Sequence, residues 1–378
     1  MDRTTELLSS YACRLTYQDL PPEVVHQVKR TLIDTLGCAL GAFTAEPSVI
    51  ARRLASRVTS SIPSRILGTK SDSAPDMAGF ANGVMVRYLD CNDSYFSPGG
   101  GHPSDMIPAV LAMADPVGCD GQTVITAIVL AYEVFCRLSD QVVVGDFGWD
   151  QGIFSVIGAA CGAGKVMGLD RKAMDQAISL AIVPNLPLGV TRVGELSMWK
   201  GCAAACATRA GIFAAQLAQE GMTGPAEPFD GPRGLWDQSI GQQIALDQFG
   251  GGPEPFGIAA TSFKFFPSQI HTQGPIGLAL ELRSQVPAAE IAAIRIRTYR
   301  AAVRSAATDP QTWDPQTRET ADHSIPYLVA TAFQDGAVTS ASFTNERIHS
   351  PALRQLMSKM TIEEDPEFTE RFPEELTC

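Results

Sequence analysis

The hydrophobic positions in the first two thirds of the chain follow a helical period. Early in the chain, five apolar residues recur at intervals of three and four: Val24, Val25, Val28, Leu32 and Leu36. This spacing places them on one face of an α-helix. Pro21 and Pro22 precede the stretch and Gly37 follows it, as is common at helix ends. The pattern predicts a helix with one buried stripe.

The same period recurs in further segments before residue 221. They span residues 76–88, 106–114, 122–138, 154–167, 171–182 and 197–220. Several are rich in small residues, such as Ala203, Ala207 and Gly211, which let helix backbones approach closely. Residues 221–257 are dense in Gly, Pro and polar residues, which predicts a linker with one short helix. We therefore expect a large all-helical domain over residues 1–257.

The period changes to two near residue 294. Ile294, Ile296 and Thr298 alternate with polar or aromatic neighbours, which is typical of a half-buried strand. Helices are predicted at 324–333 and 351–358, and a short strand at 360–363. These elements predict a smaller α+β domain over residues 258–378, within a mainly α fold.

Composition and charge exclude several classes of protein. A net charge of −12 and an isoelectric point near 4.9 argue against nucleic-acid binding, which needs clustered Lys and Arg. No apolar run reaches the roughly 18 to 20 residues of a membrane span. The nine cysteines are an odd number without a C-x-x-C pair, which favours reduced thiols over disulfides or a zinc site. We expect a cytoplasmic protein without a membrane or nucleic-acid partner.

Candidate chemistry concentrates in residues 88–105. An apolar helix ends in Asp90, Asn92, Asp93 and Ser94; a Gly-rich loop follows, and His102 opens the next helix. Such a loop can bring its backbone close to a ligand. The free N–H groups of a helix start favour a carboxylate, and an imidazole titrates near neutral pH. The alternative is that Ser104 or Asp105 only caps the helix and His102 is a loop residue.

The segments Asp90-Cys91-Asn92-Asp93-Ser94 and Gly101-His102-Pro103-Ser104-Asp105 resemble the D-x-N-D-[ST] and G-H-P-S-D motifs of 2-methylcitrate dehydratases in the MmgE/PrpD family. Further matches follow in the same order at residues 148–150, 165–170, 197–201, 262–271 and 322–327. The resemblance spans nearly the whole chain.

The resemblance implies a large helical domain with a smaller α+β lid domain, and a homodimer. It also implies a lyase that dehydrates a small polycarboxylate, 2-methylcitrate or a related alkylcitrate, without a cofactor or a metal. The implied catalytic residues are His102, Lys200, His271 and Tyr327. The implied substrate-binding residues are Asp90, Asp93, Ser94, Gln151 and Lys264.

These residue types suit a dehydration. A base must take a proton from a carbon beside a carboxylate, cations must hold the developing enediolate, and an acid must protonate the departing hydroxyl. His102 is the expected proton carrier, Lys200 and Lys264 the expected cations. His271 or Tyr327 is the expected acid.

Each of these residues also has a simpler interpretation. Lys200 could be a lysine extending from an Ala-rich helix to solvent, and Lys264 a solvated cation in a loop. His271 could lie in a turn, and Tyr327 could be a packed aromatic residue. We interpret His323 as an N-terminal helix residue, with its neighbour Ser324 as the cap.

Two departures from the family pattern keep other functions open. Gln151 stands where the family commonly has a histidine, and an amide carries no proton at neutral pH. The chain also ends early, so that the smaller domain is expected to be shortened at its C-terminus. One alternative is a cis-aconitate-type decarboxylase, and another is a non-catalytic or repurposed homologue. An iron–sulfur enzyme is disfavoured because the chain lacks three suitably placed cysteines.

Overall fold

A computed structural model describes residues 1–246 and 248–378. The chain forms two compact units. The first unit consists of Met1–Tyr88, Asn92–Val190 and Gly201–Phe263, and the second of Leu89–Cys91, Thr191–Lys200 and Lys264–Cys378. The last break falls between Phe263 and Lys264, and the boundary after residue 257 stays a prediction. The periodicity did not show that residues 89–91 and 191–200 group with the C-terminal part of the chain.

Helices dominate the first unit, and the fold is mainly α, as predicted. They are α1 (Arg3–Arg14), α2 (Pro22–Gly41), α3 (Glu46–Ala55), α4 (Pro75–Tyr88), α5 (Ile107–Val117), α6 (Gly121–Ser139), α7 (Gly152–Val166), α8 (Arg171–Ile182), α9 (Ala203–Gln219) and α10 (Leu235–Ser239). The helix predicted at 197–220 begins later, because Met198–Gly201 forms a separate 3-10 turn. The other predicted helices of this unit are confirmed.

Aspartate caps start several of these helices. The side chain of Asp2 accepts a hydrogen bond from the Thr5 amide at α1, and Asp120 does the same for Thr123 at α6. Such caps satisfy backbone N–H groups that have no partner inside the helix.

The core of the first unit is built from close helix contacts. A Cβ atom at Gly211 in α9 would lie 2.7 Å from the Cβ of Ala159 in α7, so only glycine fits where these two helices meet. This contact confirms the close approach that the small residues predict.

Helix α6 is long and apolar enough to cross a membrane by length and composition, and 67% of its apolar window is buried. Its residues Ile128, Leu130 and Phe135 have no exposure to solvent. They belong to the hydrophobic core of the first unit, which identifies α6 as a core helix.

Two short antiparallel pairs accompany the helices of the first unit. Strand β1 (Ser64–Arg65) pairs with β2 (Asp72–Ser73), and β3 (Ser94–Tyr95) pairs with β4 (Thr261–Ser262). Tyr95 and Gly101 also exchange backbone hydrogen bonds of 2.8 and 3.2 Å. These bonds close the Gly-rich loop and bring the residue after it, His102, back beside Ser94.

The second unit combines helices with one parallel pair of strands. Its elements are α11 (Gln273–Arg283), β5 (Ile294–Thr298), α12 (Arg300–Ala306), α13 (Pro310–Trp313), α14 (Arg318–Ala321), α15 (Ile325–Asp335), α16 (Asn345–Ile348), α17 (Pro351–Met357), β6 (Met360–Glu364) and α18 (Pro366–Arg371). The predicted strands are confirmed, and they pair with each other. Ile296 and Thr298 are buried while Arg295 and Arg297 are exposed, as the alternation predicts.

Candidate functional site

The segments of the second unit bring three of the expected site residues together. The ammonium group of Lys264 donates hydrogen bonds to the Oδ1 atom of Asp90 at 2.6 Å and to its carbonyl oxygen at 2.7 Å. The Nζ atom of Lys200 lies 3.1 Å from Asp90 Oδ2. All three residues are buried. For Lys200 and Lys264 the structure therefore shows neither a solvated loop cation nor a lysine extending to solvent.

The backbone of Asp90 has a left-handed conformation, with φ of 51°. Residues other than glycine seldom adopt it, although aspartate tolerates it better than most. Lys264 binds both the main chain and the side chain of Asp90, which compensates for this conformation. Strained positions held by surrounding contacts occur often at functional sites.

Asp322, just after α14, extends the cluster. Its Oδ1 atom lies 2.6 Å from Lys200 Nζ, and its Oδ2 atom lies 3.0 Å from Arg318 Nη1. Arg318 precedes Asp322 by four residues, so a helical turn places the two side chains on one face.

The segment that carries Lys200 is fixed next to α14. The Leu196 amide donates to Thr320 Oγ1 at 3.1 Å, and Thr317 Oγ1 donates to the Leu196 carbonyl at 2.9 Å. These bonds place Lys200 where it contacts both Asp90 and Asp322.

The cluster concentrates buried cations in a strongly negative chain. Lys200, Lys264 and Arg318 face the carboxylates of Asp90 and Asp322, and the buried Glu319 also interacts electrostatically with Lys200 and Arg318. Burial alone would raise the pKa of Asp322, but Lys200, His323 and Arg318 lower it below its ordinary value. The carboxylate of Asp322 therefore acts as an anion that holds cations in place, and the N–H groups of these cations are the donors that a carboxylate ligand needs.

The same cluster contains a group that has the ligand types of a metal site. Asp90, Asp322 and His323 present oxygen and nitrogen atoms within 4.8 Å of one another. However, the ammonium group of Lys200 contacts both carboxylates, at 3.1 and 2.6 Å. A lysine thus occupies the position between the oxygens that a cation would take.

His323 belongs to this cluster and lies just before α15, although the sequence suggested only an N-terminal helix residue. Its Nδ1 atom lies 2.6 Å from Asp322 Oδ1 and its Nε2 atom 3.6 Å from Asp90 Oδ2. Burial and the charge of Lys200 lower its pKa. Ser324 does cap α15, as predicted, by accepting from the Tyr327 amide. The sequence signal that could have identified His323 as a site residue is its position next to Asp322 in the matched segment 322–327.

His271 lies in the same unit, in the 3-10 turn Ile270–Thr272. Its Nδ1 atom is 2.7 Å from the hydroxyl oxygen of Tyr299. Burial, with smaller contributions from His323 and Lys264, lowers the pKa of His271 to about 4. The imidazole is therefore neutral at neutral pH. Tyr299 could not be predicted from the sequence, because an aromatic residue at the end of a strand gives no chemical signal.

Tyr327 has a different environment. It is fully buried in the first turn of α15, and its hydroxyl donates to the carbonyl oxygen of Ser342. Burial raises the pKa of this hydroxyl to about 12. The structure thus gives Tyr327 a backbone partner inside the core of the second unit.

The remaining expected residues lie in the first unit. The Nδ1 atom of His102 is 2.7 Å from the carbonyl oxygen of Asp93 and 3.2 Å from Ser94 Oγ. A carbonyl oxygen only accepts hydrogen bonds, so Nδ1 carries the proton and Nε2 carries the lone pair. This tautomer suits a proton acceptor.

The carboxylate of Asp93 fixes the start of this loop by two hydrogen bonds. It accepts hydrogen bonds from the Tyr132 hydroxyl at 2.7 Å and from the Ser104 amide at 3.0 Å. Ser104 and Asp105 do not cap the helix with their side chains; they accept hydrogen bonds from Asn92. The capping alternative for this motif is therefore not what the structure shows.

Gln151 lies against the Gly-rich loop. A Cβ atom at Gly101, which has φ of 140°, would lie 2.6 Å from Gln151 Oε1 and 2.5 Å from Phe135 Cζ. Only glycine fits here, and the amide of Gln151 is held next to the residue that precedes His102.

Comparison with known proteins agrees with these motifs. The model of the MmgE/PrpD N-terminal domain matches residues 6–246, and that of the C-terminal domain matches residues 266–378. The 2-methylcitrate dehydratase of Escherichia coli (strain K12) is 28% identical over 366 residues, which cover 89% of this chain and 73% of the relative. That of Cupriavidus necator is 27% identical over 369 residues, 90% of this chain and 73% of the relative. A probable 2-methylcitrate dehydratase of Saccharomyces cerevisiae is 26% identical, over 90% of this chain and 70% of the relative.

Proposed function

The chain belongs to the MmgE/PrpD family, and from this premise we propose that it is a lyase that dehydrates 2-methylcitrate or a related alkylcitrate. The observation that carries the proposal is the cluster of Asp90, Lys200, Lys264 and Asp322, in which two buried carboxylates hold two buried ammonium groups in place. Relatives named 2-methylcitrate dehydratase match this chain over most of its length, which supports the same substrate class.

The proposed reaction breaks one C–H bond and one C–O bond. A base takes the proton from the carbon next to a carboxylate, and the electron pair forms the C=C bond as hydroxide departs. Lys200 and Lys264 stabilise the negative charge that develops on that carboxylate. His102 is the proposed base, because its tautomer leaves the Nε2 lone pair to accept a proton.

The departing hydroxide leaves as water once it gains a proton. With a pKa of about 4, His271 is not an imidazolium at neutral pH, so we assign it a hydrogen bond to the substrate rather than proton donation. Tyr327 donates to a backbone carbonyl, and we assign it to packing. The proton that His102 removes balances the proton that the hydroxide needs, so one imidazole can serve both steps.

The test is an NMR time course of the purified protein with 2-methylcitrate and, separately, with cis-aconitate. We expect loss of the 2-methylcitrate signals and growth of an alkene product. His102→Ala should slow this by at least about a hundredfold. His26→Ala is the matched control, because His26 is an exposed histidine of α2 and its loss should leave the rate unchanged.

The same experiment decides between the proposal and its alternatives. Release of carbon dioxide from cis-aconitate, without dehydration of 2-methylcitrate, would identify a decarboxylase. Saturable binding of 2-methylcitrate without turnover of either compound would identify a binding protein, as Gln151 in place of the family histidine allows. An equal rate with and without a chelator is expected for a metal-independent enzyme.

We also propose that the protein forms a homodimer, as the family resemblance implies. Ile33 and Leu40 on α2 are 73% and 59% exposed, and exposed apolar side chains on one helix face are common at interfaces. Light scattering should give twice the chain mass, and a monomer at working concentration would contradict this.

A further inference from the structure

His323 and His271 in the second unit have hydrogen-bond partners of opposite character. The partner of His323 is a carboxylate, that of Asp322, at 2.6 Å. The partner of His271 is a phenol, that of Tyr299, at 2.7 Å. Both contacts are made through Nδ1. The character of the partner decides which ring nitrogen carries the proton of a neutral imidazole.

In His323, the contact places the proton on Nδ1. An ionised carboxylate only accepts hydrogen bonds, so an Nδ1 lone pair at 2.6 Å from Asp322 Oδ1 would be repelled. The alternative is that Nδ1 accepts from Lys200 Nζ, which is 3.2 Å away. This contact is longer than the 2.6 Å contact of Nδ1 with Asp322 Oδ1, and the ammonium group has closer carboxylate partners, at 2.6 and 3.1 Å. The lone pair of His323 is therefore on Nε2.

The environment of Nε2 in His323 agrees with this tautomer. Asp90 Oδ2 is 3.6 Å away, which exceeds hydrogen-bond length, so this contact does not require a proton on Nε2. The side chain is 13% exposed.

In His271, the contact favours the opposite tautomer. Among the described residues, the Nδ1 atom of His271 is the hydrogen-bond partner of the Tyr299 hydroxyl. If Nδ1 were protonated, the phenol would accept, and its own hydrogen would need another acceptor around Tyr299, which is 2% exposed, whereas His271 is partly exposed and can offer its proton to a ligand. If Nδ1 accepts, the hydroxyl hydrogen is satisfied and the imidazole proton is on Nε2. Stacking of Tyr299 on Phe372, at 4.8 Å between ring centroids, fixes the phenol ring.

We propose that Asp322 and Tyr299 are positioning residues that hold His323 and His271 in opposite neutral tautomers. His323 then offers a lone pair at Nε2, and His271 offers an N–H group at Nε2. A hydroxyl group both donates and accepts, so a substrate hydroxyl can pair with either imidazole, by donating to Nε2 of His323 or by accepting from Nε2 of His271. The inference deepens the proposed function and rests on it for the ligand: it selects a hydroxylated polycarboxylate over one without the hydroxyl.

Both histidines remain neutral at neutral pH. Burial lowers the pKa of each, and the charge of Lys200 lowers that of His323 further, against the opposing effects of Asp322 and Asp90. A neutral histidine that donates a hydrogen bond can polarise an oxygen without transferring a proton.

The first test is the ¹⁵N NMR spectrum of the histidine rings at neutral pH without substrate. The chain has five histidines, and His271→Gln and His323→Gln identify the two sets of signals. We expect the proton on Nδ1 of His323 and on Nε2 of His271. The reverse assignment at either ring would overturn the proposal. This readout does not depend on turnover, so it stands whether or not the protein is a dehydratase.

Tyr299→Phe tests the positioning role, because it removes the hydroxyl and keeps the ring on Phe372. The His271 signals should shift towards a mixture of tautomers while those of His323 stay unchanged. Tyr327→Phe is the matched control: it also removes a buried hydroxyl of this unit, but one that donates to the Ser342 carbonyl. Unchanged His271 signals in Tyr299→Phe would contradict the positioning role. Asp322→Asn should move the His323 proton, as the corresponding change does in a serine protease triad.

The substrate preference is tested with two ligands that differ only in the hydroxyl, citrate and propane-1,2,3-tricarboxylate. Citrate should bind the wild-type protein at least about tenfold more tightly, because the analogue lacks the hydroxyl that pairs with an imidazole. Tyr299→Phe should reduce this ratio, and Tyr327→Phe should keep it. Equal affinities of the wild type for both ligands would overturn the preference. If the protein dehydrates its substrate and has the expected tautomers but binds both ligands equally, the substrate preference is wrong and the proposed function still holds.

Discussion

Lys264 holds Asp90 by two hydrogen bonds, one to its carboxylate at 2.6 Å and one to its carbonyl oxygen at 2.7 Å. Both bonds are buried, and Asp90 has a left-handed backbone. The lysine therefore neutralises the carboxylate and fixes the backbone of the same residue. This relationship makes Lys264 a structural part of the site as well as a proposed ligand for the substrate.

We expect Lys264→Met to lower the free energy of unfolding by about 3 to 5 kcal/mol, because it leaves the carboxylate of Asp90 with one cation fewer in a buried site. Asp90→Asn/Lys264→Met should lose less than the sum of the two single substitutions, since it removes both charges. Urea denaturation of the four proteins measures this coupling. If the effects of the two single substitutions add up to that of the double substitution, the interaction between Lys264 and Asp90 contributes little to stability.

His271 should make the free energy of unfolding depend on pH. Its folded pKa of about 4 lies below the ordinary value of 6.5, so the unfolded chain binds the proton more readily between these values. Stability is then highest above pH 6.5 and falls as the pH drops from 6.5 to 4, by up to about 3 kcal/mol.

His271→Gln should remove this contribution. Denaturation midpoints of the wild type and the variant at pH 7, 5.5 and 4 provide the comparison. As the pH drops, the denaturation midpoint of the wild type should fall relative to that of the variant. A difference between the two midpoints that stays constant with pH would mean that the imidazole titrates near its ordinary value.

Gly101→Ala should destabilise the first unit by about 2 to 4 kcal/mol, from the positive φ and from a clash with Phe135. Gly118→Ala isolates the backbone effect, because Gly118 has φ of 65° and open space around its Cβ position. It should cost about 1 kcal/mol. Thermal unfolding of both variants measures the two losses in stability. Similar losses would show that Phe135 and Gln151 can move aside.

Much of this fold could be predicted from local patterns. The spacing of apolar residues located most long helices of the first unit and the strands at 294–298 and 360–364, because periodicity reports which face is buried. The position of residues 89–91 and 191–200 in the second unit could not be predicted, since it depends on contacts between distant segments such as Leu196 with Thr320.

The same limit applies to the candidate site. The motifs identified Asp90, Lys200 and Lys264, which the structure brings together. They did not identify Tyr299, whose contact with His271 joins residues on different elements. Nor could they show that the Tyr327 hydroxyl bonds to Ser342, because residue type does not determine the direction of a side chain.

Tyr132→Phe should lower the free energy of unfolding more than its matched control, Tyr11→Phe. Both hydroxyls belong to buried tyrosines of the first unit; that of Tyr132 donates to the carboxylate of Asp93 and that of Tyr11 to the carbonyl oxygen of Gly250. Hydrogen bonds to charged groups contribute more, so we expect losses of about 1.5 to 3 kcal/mol and 0.5 to 1.5 kcal/mol respectively.

The two variants should also differ in activity. The carbonyl oxygen of Asp93 accepts the hydrogen bond from His102, so a shift of Asp93 moves the proposed base. Tyr132→Phe should therefore lower kcat at a temperature where the protein remains folded, while Tyr11→Phe leaves kcat unchanged. Denaturation curves and initial rates on the same samples separate the two effects. An unchanged kcat in Tyr132→Phe would show that Asp93 holds His102 in place without help from Tyr132.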